Sequence, residues 1–363
     1  MRVLMLAISA KWLGPPRLAR ALSDAGCEVA SLAPEDGLLE KSSRLVQRHR
    51  LGNDDPAHHI AALERAVADF RPDRLLPADE LGVRLLHAAY ANPALSPALR
   101  ELIVASTGDP ASHARATDKL LLGELATQLG IAIPKTVALT SADVAHDFVH
   151  RNGWPVVVKA RRGFAGIEVY PCASLRELRG ALRECPGGDQ RLIQRFEEGA
   201  TWMASFVAER SVMLAALCAE KTAQHPPVIG PSTVVRFEHD PAMVAAASAL
   251  VASLGFSGFG SLDFQKTHDG RTLLLEFNPR PTPISHLGAR LGVDLAAAYR
   301  DGRVRDSSAV LRQSVALYPQ ELLRDPSGAG IEGCWHDRPD DEPELLAALQ
   351  ARIAQAVAAL TPT

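Results

Sequence analysis

GFGSLDFQKTHDGRTLLLEFNPRP, residues 258–281, decides how the rest of the chain is read. Two apolar runs, Phe259 to Lys266 and Thr272 to Phe277, flank the turn His268-Asp269-Gly270. Asp-Gly between alternating apolar runs is a strong short-range hairpin signal. Asp263 lies on the first strand; Glu276 and Asn278 lie two apart on the second. Residues i and i+2 of a strand share a face, and cross-strand neighbours lie about 5 Å apart. Three oxygen ligands can therefore converge. Mg²⁺ takes one or two carboxylates together with substrate phosphates. The competing view is a polar outer face, but Leu273, Leu274, Leu275, Phe264 and Phe277 make both faces apolar. A half-buried carboxylate needs a partner. Arg280, in Asn-Pro-Arg-Pro, follows closely enough to meet a phosphate or a substrate carboxylate with its planar fork.

Upstream, Trp154 to Lys159 is an apolar strand ending in lysine, followed by a loop with Gly163 and Gly166 and a strand over Ile167 to Tyr170. Glycines let backbone N–H groups approach an anion. Alone this is weak: lysines end many strands, and Gly-Phe-Ala-Gly is not a Walker loop. Lys119, on a helix over Asp118 to Leu129, reads by itself as a solvated lysine. Leu192 to Gly199, LIQRFEEG, is a strand running into a turn, which could offer backbone groups to an adenine edge. Ser141 caps a helix over Asp143 to Arg151, and Ser174 with Glu177 forms a capping box. A strand–turn–strand pattern spans Thr201 to Ala219, and a helix spans Pro241 to Leu254, stopped by Gly255.

The first hundred residues alternate strands (Val3 to Ile8, Cys27 to Leu32, Arg74 to Pro77) with helices (Arg17 to Ala25, Ala57 to Phe70, Leu81 to Tyr90). Such alternation implies parallel pairing in a doubly wound α/β layer. The dinucleotide fingerprint GxGxxG is absent there, which argues against an NAD site. A last helix, Glu342 to Leu360, packs on the core or on a second subunit, leaving a homodimer open.

The chain has 363 residues, 47% apolar and 22% charged, with a formal net charge of −3. That is an ordinary globular composition with room for two or three domains. No basic excess points to nucleic acid, and no apolar run reaches membrane-spanning length. The start reads as a buried strand rather than a signal segment. Five widely spaced cysteines without CxxC favour reduced thiols in a cytoplasm.

Taken together, DKLLLGELATQLGIAIPKT, WPVVVKARRGFAGIEVY, LIQRFEEG, GFGSLDF and LLLEFNPRP resemble, in order and spacing, the ATP-grasp superfamily over about residues 110–295. The resemblance implies an N-terminal doubly wound α/β pre-ATP-grasp domain (1–105), followed by a two-lobed α+β ATP-grasp fold. Its core lobe is 106–134 with 197–305, its lid lobe is 135–196, and 306–363 is a C-terminal extension. It further implies Lys119 and Lys159 on the phosphates of ATP and a flexible loop from Arg162 through Gly163 to Gly166. Gln194 with the backbone of Arg195, Phe196 and Glu197 would form the adenine hinge. Asp263, Glu276 and Asn278 would hold Mg²⁺, Glu276 bridging two ions. Two positions depart from relatives: Thr201 stands where a ribose-binding glutamate is common, and Ser261 where some peptide-forming members have arginine.

The implied reaction activates a small-molecule carboxylate as an acyl phosphate and passes it to an amine. Arg280 and Lys159 supply fixed positive charge, and closure of residues 135–196 would exclude water. Arg236, Arg280, Thr282, Ser285 and His286 are the candidate acceptor residues; His286 could equally cap a helix from Ser285 to Leu291. The alternatives are a phosphotransferase acting on a hydroxyl, which would share every nucleotide residue, and a non-catalytic nucleotide-binding module.

Overall fold

A computed structural model describes residues 1–52, 56–163, 168–184, 190–227 and 230–360. Gly166, Ile167 and Cys185 lie outside these residues. The N-terminal unit is a parallel sheet of β1 (Arg2–Leu6), β2 (Glu28–Ala33), β3 (Leu45–Arg50) and β4 (Arg74–Pro77), in the order β3-β2-β1-β4. Both faces of β1 are covered, which is why its sequence is a continuous apolar run. Leu4 and Leu6 pack with Leu63, Phe70, Leu86 and Ile103 from helices Pro56–Phe70, Glu80–Ala91 and Pro97–Thr107. Val3 and Met5 pack on the other side with helix Pro15–Asp24 and with Met203, Val207, Leu217 and Phe259 of the core sheet. The sequence reading missed β3, an edge strand whose residues VQRHR carry no apolar run, and the helix Pro97–Thr107.

The lid unit has antiparallel strands β5 (Thr136–Ala138), β6 (Val156–Ala160), β7 (Val169–Cys172) and β8 (Arg191–Arg195), in the order β5-β8-β6-β7. Two helices, Ala142–Asn152 and Leu175–Glu184, cover it over Phe148, Val156, Val158, Leu178 and Ile193. Ser141 Oγ caps the first by accepting from Val144 N. In the second, Glu177 N donates to Ser174 Oγ while its carboxylate accepts from Ala173 N at 2.6 Å, one residue earlier than a standard capping box.

The core sheet has seven strands: β9 (Gly199–Glu209), β10 (Val212–Gln224), β11 (Ser232–Phe237), β12 (Gly258–Thr267), β13 (Thr272–Asn278), β14 (Gln313–Ala316) and β15 (Trp335–His336). Their order is β13-β12-β9-β10-β11-β14-β15. Helices Lys119–Gln128 and Pro241–Leu254 cover one face through Leu122, Leu125, Leu250 and Val251, against Leu262, Phe264 and Trp202. Asp118 Oδ1 caps the first of these helices by accepting from Leu120 N, and Gly255 ends the second in a left-handed conformation. Residues 306–360, of which the sequence assigned only the last helix, provide β14, β15 and that helix, Pro343–Leu360. Of the two expected partners for that helix, the structure shows the first: Leu345 and Leu349 pack with Leu38 of the same chain. Cys27, Cys172, Cys218 and Cys334 are free thiols. Among the described residues no helix is long and apolar enough to cross a membrane.

Candidate active site

The β12–β13 register sets the acidic cluster. Asp263 pairs with Glu276, and Ser261 with Asn278, with a bulge just after Asp263. Asp263 also pairs with Met203 of β9, which pairs with Ala219 of β10, so this row shares one sheet face. Two residues along β10, Lys221 returns to that face and sets its ammonium 2.8 Å from Asp263 Oδ1. From the first turn of its helix, Lys119 reaches Glu276 Oε2 at 3.5 Å and donates to Gly163 O at 3.0 Å. Asn278 Nδ2 donates to Glu276 Oε1 at 3.3 Å, and Arg280 Nη2 donates to Asn278 Oδ1 at 3.2 Å. Two carboxylates and an amide on one face form a hard-oxygen donor set of the kind Mg²⁺ takes.

Asp263, Glu276, Lys119 and Lys221 close one end of a cleft of about 580 Å³ between core and lid. Lys159, from β6, forms the opposite wall and donates to Gln194 Oε1 at 2.9 Å. Glu197, Glu198, Thr201 and Gln265 line the far end, where Thr201 Oγ1 lies 3.4 Å from Gln265 Oε1. A second, smaller pocket of about 260 Å³ shares Lys119 and Glu276 with the cleft. Glu80, Arg84, His113, Arg162 and Asn278 also line it.

Electrostatics follow from crowding. Burial and the neighbouring Lys119 push the Lys159 ammonium down to about 7. Burial raises Glu276, but the ammoniums of Lys119, Lys159 and Lys221 outweigh it and hold that carboxyl at about 2. Asp263 moves the other way: burial and the charge of Glu276 raise it, although Lys221 opposes them. Bringing a polyanion and cations into the cleft would relieve these strains on both sides.

Several expected roles change with the geometry. Gln194 lines the cleft, with Oε1 accepting from Lys159 and Nε2 donating to Thr136 Oγ1 at 2.7 Å, so it anchors the lysine there. Arg195 N and Phe196 N donate to Lys135 O and Pro155 O, which moves the candidate hinge donor to Glu197. Arg236 is corrected: its partner Glu220 pairs with Trp202, and Trp202 with Phe264, so it sits on the sheet face opposite Asp263 and is ion-paired with Glu220. Thr282 and Ser285 are buried in a hydroxyl cluster with Ser205, Ser285 Oγ lying 2.8 Å from Ser205 Oγ. They therefore brace the loop after Arg280. His286 neither caps a helix nor opens to the cleft; its Nε2 meets Asp337 Oδ2 at 3.0 Å, with Arg17 Nη1 at 3.6 Å from the same oxygen. Arg162 is largely exposed, 3.5 Å from Asp118.

Sequence reasoning missed Lys221, Gln265, Glu80 and Trp12. Glu80 Oε2 lies 3.5 Å from Arg280 Nε, and the Arg280 guanidinium stands 4.9 Å over the Trp12 ring. Lys221 had one usable signal, its alternation with Leu217 and Ala219 along β10. Glu80 and Trp12 had none, since they reach the site only because one face of the N-terminal sheet docks on the core.

Comparison with known proteins agrees with this geometry. The profile of the ATP-grasp domain family matches residues 116–283. D-alanine–D-alanine ligase of Bordetella petrii is 24% identical over 295 residues, covering 74% of this chain and 86% of that protein. N5-carboxyaminoimidazole ribonucleotide synthase of Synechococcus elongatus is 29% identical over 183 residues, covering 49% of this chain and 46% of that protein. The crystal structure of L-amino acid ligase from Bacillus licheniformis superposes with a TM-score of 0.63 at 13% identity, covering 86% of this chain and 78% of that one, which speaks to fold. The matched segment holds the lid, strands β9 to β13 of the core sheet and the lysines and carboxylates between them, and residues 116–283 are an ATP-grasp domain.

Proposed function

We propose that this protein is an ATP-dependent carboxylate–amine ligase. One observation carries the reading: two pockets meet at Lys119 and Glu276, and the buried Arg280 is bonded to Asn278, which lines the smaller one. The larger cleft fits a nucleotide, with Lys119 and Lys159 toward its phosphates, Glu197 toward the base, and Glu198 and Thr201 toward the sugar. The smaller pocket fits the acid to be activated. Asp263, Glu276 and Asn278 would hold Mg²⁺, and this reading takes two ions there. The metal would supply charge neutralisation on the phosphates.

A substrate carboxylate oxygen attacks the γ-phosphorus, the bond to the β-phosphate oxygen breaks, and ADP and an acyl phosphate form. An amine nitrogen then attacks the acyl carbon, inorganic phosphate leaves, and the amine proton passes to solvent or phosphate. Both steps place negative charge near Arg280 and Lys159, whose positions cost no reorganisation. Arg280 favours the ligase over the phosphotransferase, because a fixed cation at the acceptor side suits the oxyanion of acyl transfer. The relatives named above are consistent with this chemistry.

Incubation with MgATP and mixed amino acids should give ADP, phosphate and a product weighing the sum of two reactants less water. Added hydroxylamine should divert the acyl group to a hydroxamate. A stable phosphorylated acceptor, with no hydroxamate, would replace the ligase by a phosphotransferase.

A further inference from the structure

We infer that the segment from Trp335 to Arg352, beyond the part matched by the family, is a brace that sets the position of Arg280, with Asp337 and Arg352 as its positioning residues. Two loops flank the Arg280 guanidinium. One is the turn between β1 and the helix Pro15–Asp24, which carries Trp12; the other runs from Pro281 to His286. They are neighbours: a Cβ placed on Gly14 would lie 3.8 Å from the Pro283 backbone. Neither contains a regular element that would hold it.

The C-terminal segment grips both. Asp337 Oδ1 accepts from Tyr318 N at 2.5 Å, which fixes the carboxylate to the end of β14. Its Oδ2 meets His286 Nε2 at 3.0 Å, at the far end of the Arg280 loop, and Arg17 Nη1 at 3.6 Å, just past the Trp12 turn. All three side chains are buried: Arg17 is 7% and Asp337 2% exposed, and His286 8%. Arg352, one helix further on, donates from Nη1 to Lys11 O at 2.9 Å and from Nη2 to Ala10 O at 3.1 Å. Those carbonyls immediately precede Trp12. A buried ion that is hydrogen-bonded on both oxygens holds its partners in one arrangement, because any movement strands a charge away from water. The two-pronged bond from Arg352 does the same for the turn at lower stakes.

The catalytic consequence rests on the ligase reading. Displacing a catalytic group by about 1 Å costs as much as about a hundredfold. Loosening this brace should leave nucleotide binding intact, since neither residue touches the cleft, and should misplace Arg280 during acyl transfer. Water would then intercept more of the acyl phosphate.

Two variants of the full chain test this, Arg352→Gln and Asp337→Asn. The first alters a helix surface and should fold normally even if the second, which leaves Arg17 unpaired, does not. Hydrogen exchange should quicken at residues 9–14 and 279–286 in Arg352→Gln, with residues 258–264 unchanged. Unchanged exchange at both loops overturns the brace, whatever the reaction proves to be. With MgATP and mixed amino acids, the ratio of ADP released to ligated product should rise about tenfold, while affinity for MgADP alone stays within about twofold. A role confined to stability would lower ADP and product together and leave the ratio fixed. The double variant Trp12→Ala with Arg352→Gln should be no worse than Trp12→Ala, because both act through one turn; additive losses would separate Arg352 from Arg280. A wild-type protein that ligates none of the amino acids removes the ligase reading, and the exchange measurement still decides the brace.

Discussion

Asp263 and Glu276 are register partners across the β12–β13 ladder, and each carboxylate meets an ammonium from elsewhere in the chain, Lys221 at 2.8 Å and Lys119 at 3.5 Å. The two acids titrate in opposite directions, Asp263 raised and Glu276 lowered. That asymmetry follows from the neighbours: Glu276 feels the ammoniums of Lys119, Lys159 and Lys221, whereas Asp263 has Lys221 against both burial and the charge of Glu276.

Replacement Glu276→Gln keeps shape and removes the charge. ADP formation from MgATP should fall by at least about a hundredfold, with the thermal midpoint little changed. A coupled ADP assay beside a thermal melt checks both. Substantial residual turnover would take Glu276 out of the metal site.

Burial sets Lys159 at about 7, below its ordinary 10.5. The sign follows directly. Between about pH 7 and 10.5 the unfolded chain binds the extra proton, so this group's contribution to stability rises with pH over that window. Nucleotide binding runs the other way, because the phosphates of ADP or ATP favour the ammonium. Binding of MgADP near pH 7.5 should take up protons, and affinity should weaken toward pH 9. Calorimetry in buffers of different ionisation heat reads the uptake directly. Lys159→Arg, always charged, should abolish it; proton-neutral binding by the wild type would contradict the assignment.

Lys221 faces the same cleft but carries no motif. Lys221→Met should raise KM for MgATP by about tenfold or more, with a smaller effect on kcat, if its charge serves phosphate binding as well as Asp263. Steady-state kinetics decide it. An unchanged KM would confine Lys221 to pairing with Asp263.

Gly199 opens β9 at φ +145°, and a Cβ there would lie 2.0 Å from Lys266 O. Gly199→Ala should cost on the order of 2 kcal/mol or more and disturb Thr201 at the cleft wall. Denaturant unfolding and KM for MgATP measure the two effects. Wild-type stability would show that β9 and β12 tolerate separation at that end.

What was legible in the sequence was what local physics writes locally. The hairpin of residues 258–281 announced itself through the Asp-Gly turn, and its acids through alternation. Helix Pro241–Leu254 has the bounds its Asp240 cap and Gly255 stop impose. Strand β3, by contrast, is a polar edge strand, and β14 and β15 are short; neither buries enough of its own side chains to leave a pattern. Arg236 looked like an acceptor residue because it is a cation near the right part of the chain. One step of register on β11 put it on the other face.

By itself the sequence determined the order of elements, the acids of the hairpin, and the lysines that end a strand and begin a helix, because periodicity, capping and turn chemistry act over a few residues. The tertiary structure decided which of those groups meet. Lys221 reaches Asp263 through sheet pairing, Gln194 is spent on Lys159, and Trp12, Glu80 and Asp337 gather around Arg280 and its loop because separate units dock. Such contacts join residues tens to hundreds of positions apart, and they are fixed by the burial of shared apolar faces, which no local pattern encodes.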